Sequence, residues 1–324
     1  MTPEEERKIA LWGQKLKNDI RMELTITKDK RSRAFQNFCD NLSRIAPKIS
    51  TKTEKEDEAE LPVIRIGNVR YQAIPTDKEL EPFLSALAGN ESQDRQWPAS
   101  LRELVGSIEI PARLKIYITT HCPFCPAAVK QLLSLAAANE GIKLTIIDGA
   151  LFPEAAKSDN IQSAPTVLLD DMYRWTGAIQ LAEIADMILN RDPSRLSASS
   201  LKDMFEEGNA AGVAALMTDS GKIFPAFLEL LVHEKWPVRL GAMVVFETIA
   251  EKNSKLIAQA LPFLWERFAQ VEDTVKGDVL YLFGVSGDES LIPKLETVLS
   301  GPYPVEVKEA AAEALKEVKR SFQY

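Results

Sequence analysis

Residues 115–130 read KIYITTHCPFCPAAVK, and this stretch decides the fold. A β-branched apolar run leads into Cys122-x-x-Cys125, and an alanine- and valine-rich helical pattern follows at once. A cysteine pair in this strand–turn–helix context is typical of a dithiol that cycles with its disulfide. About forty residues later Ala164-Pro165 opens an apolar strand, and its X-Pro bond is a candidate cis peptide. The order of elements predicts an α/β unit with redox chemistry.

The predicted start of the helix favours a thiolate at Cys122. Free backbone N–H groups and the positive end of the helix dipole lie there. Pro123 suits a first helical position, because its missing N–H costs nothing. Cys125 is one turn further on, close enough to attack a mixed disulfide on Cys122. The sequence therefore predicts Cys122 as the nucleophile and Cys125 as the resolving thiol, while His121 adds at most a small positive field and is more commonly a solvated flank.

The same cysteines allow other interpretations. A zinc or iron–sulfur site needs three or four soft ligands, and the chain has only three cysteines and two histidines. One C-x-x-C cannot complete such a site alone, so we expect no metal. A pair of buried, inert cysteines stays open as an alternative, although Pro123-Phe124 between them would be an unusual pair of residues in a hydrophobic core. Cys39 lies on the apolar face of a predicted helix over 33–46 and is expected to be a buried, unreactive thiol.

Composition narrows the class of protein. A length of 324 residues suggests two or three domains. No run of about 18 apolar residues and no signal peptide is visible, which predicts a cytoplasmic protein without a membrane segment. Three cysteines fit a reducing compartment. The net charge of −8, without a basic stripe, argues against nucleic-acid binding.

The N-terminal part contains an internal repeat. Leu61-Pro62 is followed by a strand, a turn, a strand and a helix, and Ala164-Pro165 is followed by the same series 103 positions later. Where the second copy has its cysteines, the first has Lys-Asp-Lys-Arg at 28–31. In the first copy we also expect a helix over 3–19, a charged loop over 52–60 and a helix capped by Thr76-Asp77.

These features resemble thioredoxin-fold proteins with two fused units. Such proteins include the glutaredoxin-like protein disulfide oxidoreductases and the N-terminal module of the alkyl hydroperoxide reductase flavoprotein. The resemblance covers roughly residues 1–192 and rests on the segments 122–126, 164–166 and 176–177. It implies a central sheet flanked by helices, a cis Pro165 against the dithiol, and thiol–disulfide exchange with protein substrates. The substrate-binding residues that it implies are Pro123, Phe124, Ala164, Pro165 and Thr166. A single cysteine pair in the second unit is most similar to the flavoprotein module.

The chain departs from these relatives at two points. Thioredoxins proper carry a buried acid in the strand before the motif, whereas residues 114–118 read LKIYI and offer no such base. The paired glycines that glutaredoxins use near glutathione are not matched at Thr176-Gly177-Ala178, which argues against glutathione. No glycine fingerprint for a flavin or nicotinamide is visible. We therefore expect no cofactor beyond the Cys122–Cys125 disulfide, and an upstream protein reductant as the electron source.

The C-terminal part predicts helices without strands. Three hairpins recur, their first helices opened by Pro225, Pro262 and Pro293, and their second helices by Val238, Val275 and Val307. The valines are 37 and then 32 residues apart (275 − 238 and 307 − 275), the length of a two-helix repeat. The series resembles HEAT-type repeats, which commonly present a surface to a protein partner. We expect His233 at a loop edge and Trp236 and Trp265 in the repeat core.

The sequence thus predicts a tandem of α/β thioredoxin-like units followed by an all-α HEAT-type solenoid. The domains are a degenerate thioredoxin-like unit without active-site cysteines over 1–108, a redox unit over 109–193 and helical repeats over 194–324. The predicted function is a thiol–disulfide oxidoreductase that acts on a client protein's disulfide or relays electrons between proteins, with the repeats as a docking surface. Two alternatives stay open: a non-catalytic scaffold, and a redox sensor, in which the repeats carry the function.

Overall fold

Eight strands of the N-terminal unit form one sheet in the computed structural model of the chain, which describes residues 1–56, 61–89 and 97–321. The strands are β1 (Ile20–Ile26), β2 (Ile49–Lys55), β3 (Val63–Ile66), β4 (Val69–Gln72), β5 (Ala112–Ile118), β6 (Ile142–Asp148), β7 (Thr166–Leu169) and β8 (Tyr173–Thr176), and their order in the sheet is β2-β1-β3-β4-β6-β5-β7-β8. This unit comprises Met1–Arg191, and a second compact unit comprises Asp192–Tyr324.

The pairing pattern repeats within the sheet. β1 is parallel to β2 and antiparallel to β3, and β5 is likewise parallel to β6 and antiparallel to β7. β4 is parallel to β6, with Tyr71 opposite Ile146, and joins the two halves. The strands of the two repeats therefore form one continuous sheet.

Seven α-helices of the described residues accompany this sheet. They are α1 (Pro3–Gly13), α2 (Ser32–Ile45), α3 (Leu80–Leu87), α4 (Ala99–Gly106), α5 (Cys125–Ala138), α6 (Pro153–Ser158) and α7 (Leu181–Asn190), and a 3-10 helix, Asp77–Glu79, precedes α3. The predicted helix over 3–19 ends earlier, at Gly13. A Cβ atom on Gly13 would lie 2.8 Å from the Cβ atom of Ala46, so the close approach to the end of α2 requires glycine there.

The charged loop predicted over 52–60 is wrong in its first part, because β2 runs to Lys55. Only Ile49 of this strand is buried, and most of its other side chains are exposed. An edge strand of this kind is held by its backbone pairing with β1 and carries no alternating apolar pattern that sequence reasoning could detect. Residues 57–60 lie outside the described part of the chain.

The cysteine-free loop of the first repeat forms contacts with the second repeat. Arg31 donates from Nε to Asp29 at 2.9 Å and from a terminal nitrogen to the carbonyl oxygen of Leu151 at 2.7 Å. It also forms an ion pair with Glu154, and its guanidinium lies 4.2 Å from the ring centroid of Phe152. The position that carries the cysteines in the second repeat is thus occupied in the first by a structural arginine.

A buried ion pair lies near the end of the N-terminal unit. Nε of Arg191 lies 2.8 Å from Oδ2 of Asp170, and each side chain is 2% exposed. Arg191 also donates to the carbonyl oxygen of Ile110, and Oδ1 of Asp170 accepts the backbone N–H of Arg113, both at 3.0 Å. The charges are therefore paired and hydrogen-bonded, as burial requires.

The described residues of the second unit form helices and no strands. The α-helices are α8 (Ala198–Glu206), α9 (Ala210–Ser220), α10 (Pro225–Leu231), α11 (Trp236–Lys252), α12 (Ser254–Ile257), α13 (Leu261–Phe268), α14 (Asp273–Ser286), α15 (Ile292–Ser300) and α16 (Val305–Arg320). The three predicted prolines lie in the first turns of α10, α13 and α15, and the three valines are the third residues of α11, α14 and α16. In the described segments, no helix is both long and apolar enough for a membrane span.

Neighbouring hairpins of this unit are joined by Arg239. Its Nε donates to Oδ2 of Asp278 on α14 at 2.8 Å, and a terminal nitrogen donates to the carbonyl oxygens of His233 and Glu234 at 2.7 and 2.8 Å. The side chain is buried. His233 lies in the loop between α10 and α11, as predicted. The HEAT-type assignment itself stays a prediction.

The prediction of a core position for Trp236 is wrong, because this residue is 55% exposed. Trp236 is the first residue of α11, just before Pro237, and it continues an exposed stripe at intervals of four residues with Leu240 and Val244. Trp265 instead is half-buried and stacks on Phe268, with ring centroids 5.5 Å apart.

Candidate redox site

Cys122 lies in the loop between β5 and α5, just before the helix begins. The helix begins at Cys125 and not at Cys122, so the predicted helical position of Pro123 is wrong, and Pro126 lies in the first turn instead. The backbone N–H of Cys125 donates to Sγ of Cys122 at 3.1 Å. One of the free N–H groups at the helix start is thus directed at the sulfur. A donor of this kind stabilises negative charge that develops on the atom accepting it.

The strand that begins after Pro165 brings a second backbone segment to the sulfur. The peptide bond Ala164–Pro165 is cis, as predicted. The thiol of Cys122 donates to the carbonyl oxygen of Ala164 over 3.5 Å. The carbonyl oxygen of Pro165 accepts the N–H of Gly177 at 2.9 Å, and the positive φ of +84° at that residue suits glycine. The structure therefore brings Cys122 next to the Ala164–Pro165 segment, whose alanine lies 42 residues further along the chain.

Exposure separates the predicted site residues into two groups. Phe124 is 70% exposed and Pro123 is exposed too, so both can contact another protein. Cys122 is 8% exposed, whereas Cys125 is fully buried. Thr166 is also buried, and its hydroxyl donates to the carbonyl oxygen of Ser163 at 2.8 Å. Only Cys122 of the pair is therefore near the surface, and Thr166 can offer a partner little beyond its backbone.

A buried acid that sequence reasoning missed lies near Cys125. Glu79 is the last residue of the 3-10 helix Asp77–Glu79, which packs against α5. Its side chain is buried, and neither carboxylate oxygen has a hydrogen-bond partner among the described residues. Burial raises the pKa of Glu79 to about 7, and the negative charge of Asp148 acts in the same direction. A carboxyl group with such a pKa can take up and release protons near neutral pH.

The charge of this acid acts on the thiol of Cys125. Burial raises the pKa of the Cys125 thiol far above its ordinary range, the hydrogen bond with Cys122 raises it further, and the negative charges of Cys122 and Glu79 add to this effect. The thiol of Cys125 is therefore protonated near neutral pH, and any reaction of its sulfur as a nucleophile would need a proton acceptor. Glu79 belongs to the first repeat, so the strand before the motif gave no signal of it.

The acid has two further titratable neighbours. Asp148 at the end of β6 is buried, and its Oδ1 accepts the N–H groups of Ala150 at 2.9 Å and Leu151 at 3.2 Å. Tyr71 on β4 is buried, and its hydroxyl has no hydrogen-bond partner among the described residues. Burial raises the pKa of Tyr71, and the charge of Glu79 adds to this.

The other residues singled out in the sequence are His121 and Cys39. Nδ1 of the exposed His121 lies 3.1 Å from Oγ1 of Thr120. Cys39 is buried, as predicted, and burial raises the pKa of its thiol to about 12. No cluster of three or more metal-ligating side chains occurs within 1–56, 61–89 and 97–321.

Comparison with known proteins agrees with this geometry. Residues 112–189 match the family model of a thioredoxin domain. The F subunit of alkyl hydroperoxide reductase from Xanthomonas campestris pv. phaseoli is 25% identical over 218 residues, which cover 64% of this chain and 41% of that protein. The chain spans less than half the length of the curated relatives that it matches.

Two solved structures show the same fold. The NTD_N/C domain of alkylhydroperoxide reductase AhpF from Enterococcus faecalis (V583) has a TM-score of 0.51 and 21% identity, over 58% of this chain and 100% of that one. A protein disulfide oxidoreductase from Aeropyrum pernix K1 has a TM-score of 0.53 and 14% identity, over 60% of this chain and 95% of that one. The N-terminal half is thus thioredoxin-like, and the likenesses support a thiol–disulfide redox function at a general level.

Proposed function

We propose that the chain is a thiol–disulfide oxidoreductase that acts on protein disulfides, or relays electrons between proteins, through Cys122 and Cys125. The observation that carries this proposal is the position of the Cys122 sulfur. It accepts a helix-start N–H at 3.1 Å and lies beside the backbone of Ala164 and cis Pro165. It is also the only sulfur of the pair that is not fully buried.

In the first step the Cys122 thiolate attacks one sulfur of a client disulfide. The client's S–S bond breaks, a mixed disulfide with Cys122 forms, and the client's other sulfur leaves with the electron pair. The client backbone would lie along residues 164–166, and the exposed ring of Phe124 would contact its apolar side chains. Pro123 and the half-buried Ala164 complete this surface.

In the second step Cys125 resolves the mixed disulfide. Its thiol gives its proton to the carboxylate of Glu79, and its sulfur attacks Sγ of Cys122. The Cys122–Cys125 bond forms and the client leaves as its second thiolate. The client gains two electrons and the chain loses two, so another protein must reduce the new disulfide. The proposed cycle uses no cofactor besides this disulfide, and glutathione is not its expected reductant.

Reduction of insulin by dithiothreitol tests the activity. We expect the wild type and Cys39→Ser to accelerate it, and Cys122→Ser to show only the background rate. Cys125→Ser should instead accumulate disulfide-linked adducts on Cys122, which mass spectrometry identifies. Equal rates for the wild type and Cys122→Ser, with no adduct on Cys125→Ser, would contradict the proposal.

The second unit would provide a docking surface for the protein that exchanges with Cys122. The observation in its favour is the exposed stripe of Trp236, Leu240 and Val244, beside an exposed Tyr281 whose hydroxyl donates to Glu247 at 2.9 Å. In the full chain, Cys125→Ser with Trp236→Ser and Tyr281→Ser should then trap fewer protein adducts, while its reaction with a small disulfide stays unchanged.

Two alternatives predict other results in the same experiments. A scaffold would bind its partners equally well with Cys122→Ser. A redox sensor would bind through Trp236 and Tyr281 with an affinity that depends on the oxidation state of the cysteine pair.

A further inference from the structure

One side chain joins α1 to the 3-10 helix that carries Glu79. Oε1 of Glu5 accepts the backbone N–H of Asp77 at 2.7 Å. Oε2 of Glu5 accepts the N–H of Thr2 at 2.6 Å, and Oγ1 of Thr2 accepts the N–H of Glu5 at 3.3 Å. The second pair of bonds is an ordinary capping box at the start of α1. The bond to Asp77 is not part of that motif and reaches 72 residues along the chain.

The backbone of Asp77 is in an uncommon conformation. Its φ is +53°, in the left-handed region that residues other than glycine seldom adopt. Such a conformation persists where the surrounding structure fixes it, and it is found preferentially at functional sites. Thr76, the predicted cap of the following helix, makes no side-chain hydrogen bond to it. The buried carboxylate of Glu5 therefore supplies the acceptor at this position.

Asp77 and Glu79 belong to the same short element. The two residues are the first and last of one three-residue 3-10 helix. Because neither carboxylate oxygen of Glu79 has a hydrogen-bond partner among the described residues, no polar contact of its own fixes this side chain. Its position depends on the backbone of the 3-10 helix and on packing. The backbone in turn is held by the bond between Asp77 and Glu5.

We propose that Glu5 is a positioning residue of the redox site, which fixes Asp77 and thereby holds Glu79 at Cys125. The inference rests on the proposed role of Glu79 as proton acceptor. The titratable groups that face Glu79 are Tyr71 on β4, Asp148 on β6 and Cys125 on α5. Glu5 contacts none of these groups and acts through the backbone. Helix α1 of the first repeat, which lacks the C-x-x-C motif, would thus affect the rate at which the second repeat resolves its mixed disulfide.

A single-turnover reaction of the reduced full chain with 5,5′-dithiobis(2-nitrobenzoate) isolates the resolving step. The Cys122 thiolate attacks the disulfide of the reagent and breaks its S–S bond. One aryl thiol stays on Cys122 as a mixed disulfide, and the other leaves as the first thiolate. Cys125 then gives its proton to Glu79 and attacks Cys122, the Cys122–Cys125 bond forms, and the second aryl thiolate leaves. Absorbance gives the rate constant of the second release, which is measured as a function of pH. In the wild type this rate constant should rise with pH as Glu79 loses its proton near pH 7.

Four variants test the chain of contacts. Glu79→Gln should lower the rate constant by about a hundredfold and remove the inflection near neutral pH. Glu5→Met should reproduce that profile, and should add nothing in the Glu79→Gln background. Glu5→Gln keeps an oxygen acceptor for Asp77 and should restore the wild-type profile. Thr2→Ala removes the hydroxyl of the capping box but leaves the Glu5–Asp77 bond, so its profile should stay that of the wild type.

The outcomes separate the two proposals. A wild-type profile for Glu79→Gln would overturn the role of Glu79 and with it the positioning role. An altered profile for Glu79→Gln with a wild-type profile for folded Glu5→Met would overturn the role of Glu5 alone. If Thr2→Ala and Glu5→Met had equal effects on the profile, Glu5 would act only through the capping box of α1, and its positioning role would be overturned. If Glu5→Met does not fold, Glu5→Asp keeps the charge but is one methylene shorter. It should shift the profile part of the way toward that of Glu79→Gln, and a wild-type profile would overturn the proposal.

Discussion

The backbone N–H of Cys125 donates to the sulfur of Cys122 at 3.1 Å, while the sulfur of Cys125 itself is fully buried. The two residues of the C-x-x-C motif therefore differ in their environments. Cys122 has a helix-start donor and access to the surface, whereas burial holds the pKa of Cys125 high. This asymmetry predicts which thiol reacts first and which needs a proton acceptor.

We expect iodoacetamide near neutral pH to alkylate the reduced chain at Cys122. Cys125 should stay unmodified because it is buried and protonated, and so should Cys39, where burial raises the pKa to about 12. Peptide mass spectrometry after brief labelling locates the modified residue, and Cys122→Ser serves as the control that should show almost no label. A label chiefly on Cys125 or Cys39 would contradict the assigned order of reaction.

Removing one partner of the buried pair of Arg191 and Asp170 should strongly destabilise the N-terminal unit. Arg191→Met leaves a buried carboxylate without its cation, and we expect a loss of about 3–5 kcal/mol in the free energy of unfolding. The matched control is Arg44→Met, because Arg44 pairs with Glu6 at 3.0 Å on the surface. The Arg44→Met variant should lose less than about 1 kcal/mol in the free energy of unfolding. Urea unfolding measures both, and equal losses would contradict the argument.

The redox unit could be predicted from the sequence because its signals are local. The apolar run before Cys122, the helix after Cys125 and the X-Pro bond at Pro165 each lie in one short segment, and the structure brings them together. β2 could not be predicted from its side chains, because at the edge of the sheet only Ile49 is buried. Its place is set by pairing with a distant strand.

Glu79 and Trp236 were missed for a related reason, which also lies in long-range structure. Glu79 is one of several acids in a polar stretch, and only the packing of its 3-10 helix on α5 makes it a neighbour of Cys125. Trp236 matched a repeat position, but at the first residue of α11 its side chain continues an exposed stripe. The sequence pattern predicted helix α11 correctly, but it wrongly placed the side chain of Trp236 in the core.

The exposure of Trp236 predicts a small effect on folding. Trp236→Ala should change the free energy of unfolding by about 0.5 kcal/mol or less, because little contact is lost. Phe246→Ala, on the same helix but fully buried, should cost about 3–5 kcal/mol. Thermal unfolding followed by circular dichroism compares the two variants. A large loss for Trp236→Ala would mean that this ring packs in a core after all.

Stability should also depend on the protonation of Glu79. Its pKa is about 7 in the folded chain and is expected near the ordinary 4.5 after unfolding. Between these values the folded state binds more protons than the unfolded state, so the stability that is present below about pH 4.5 is lost as the pH rises through about 7. The shift corresponds to about 3 kcal/mol.

Glu79→Gln keeps a neutral side chain of the same size at every pH. We therefore expect this variant to match the wild type in stability at about pH 4, and to exceed it by about 3 kcal/mol at about pH 8. Urea unfolding at the two pH values measures the difference, and Glu81→Gln on the exposed side of α3 is the control, since it should change stability little at either pH. An equal difference between Glu79→Gln and the wild type at both pH values would show that Glu79 does not titrate between them. A stability gain from removing the charge, together with slower resolution of the mixed disulfide, is the combination expected of a buried acid kept for its chemistry.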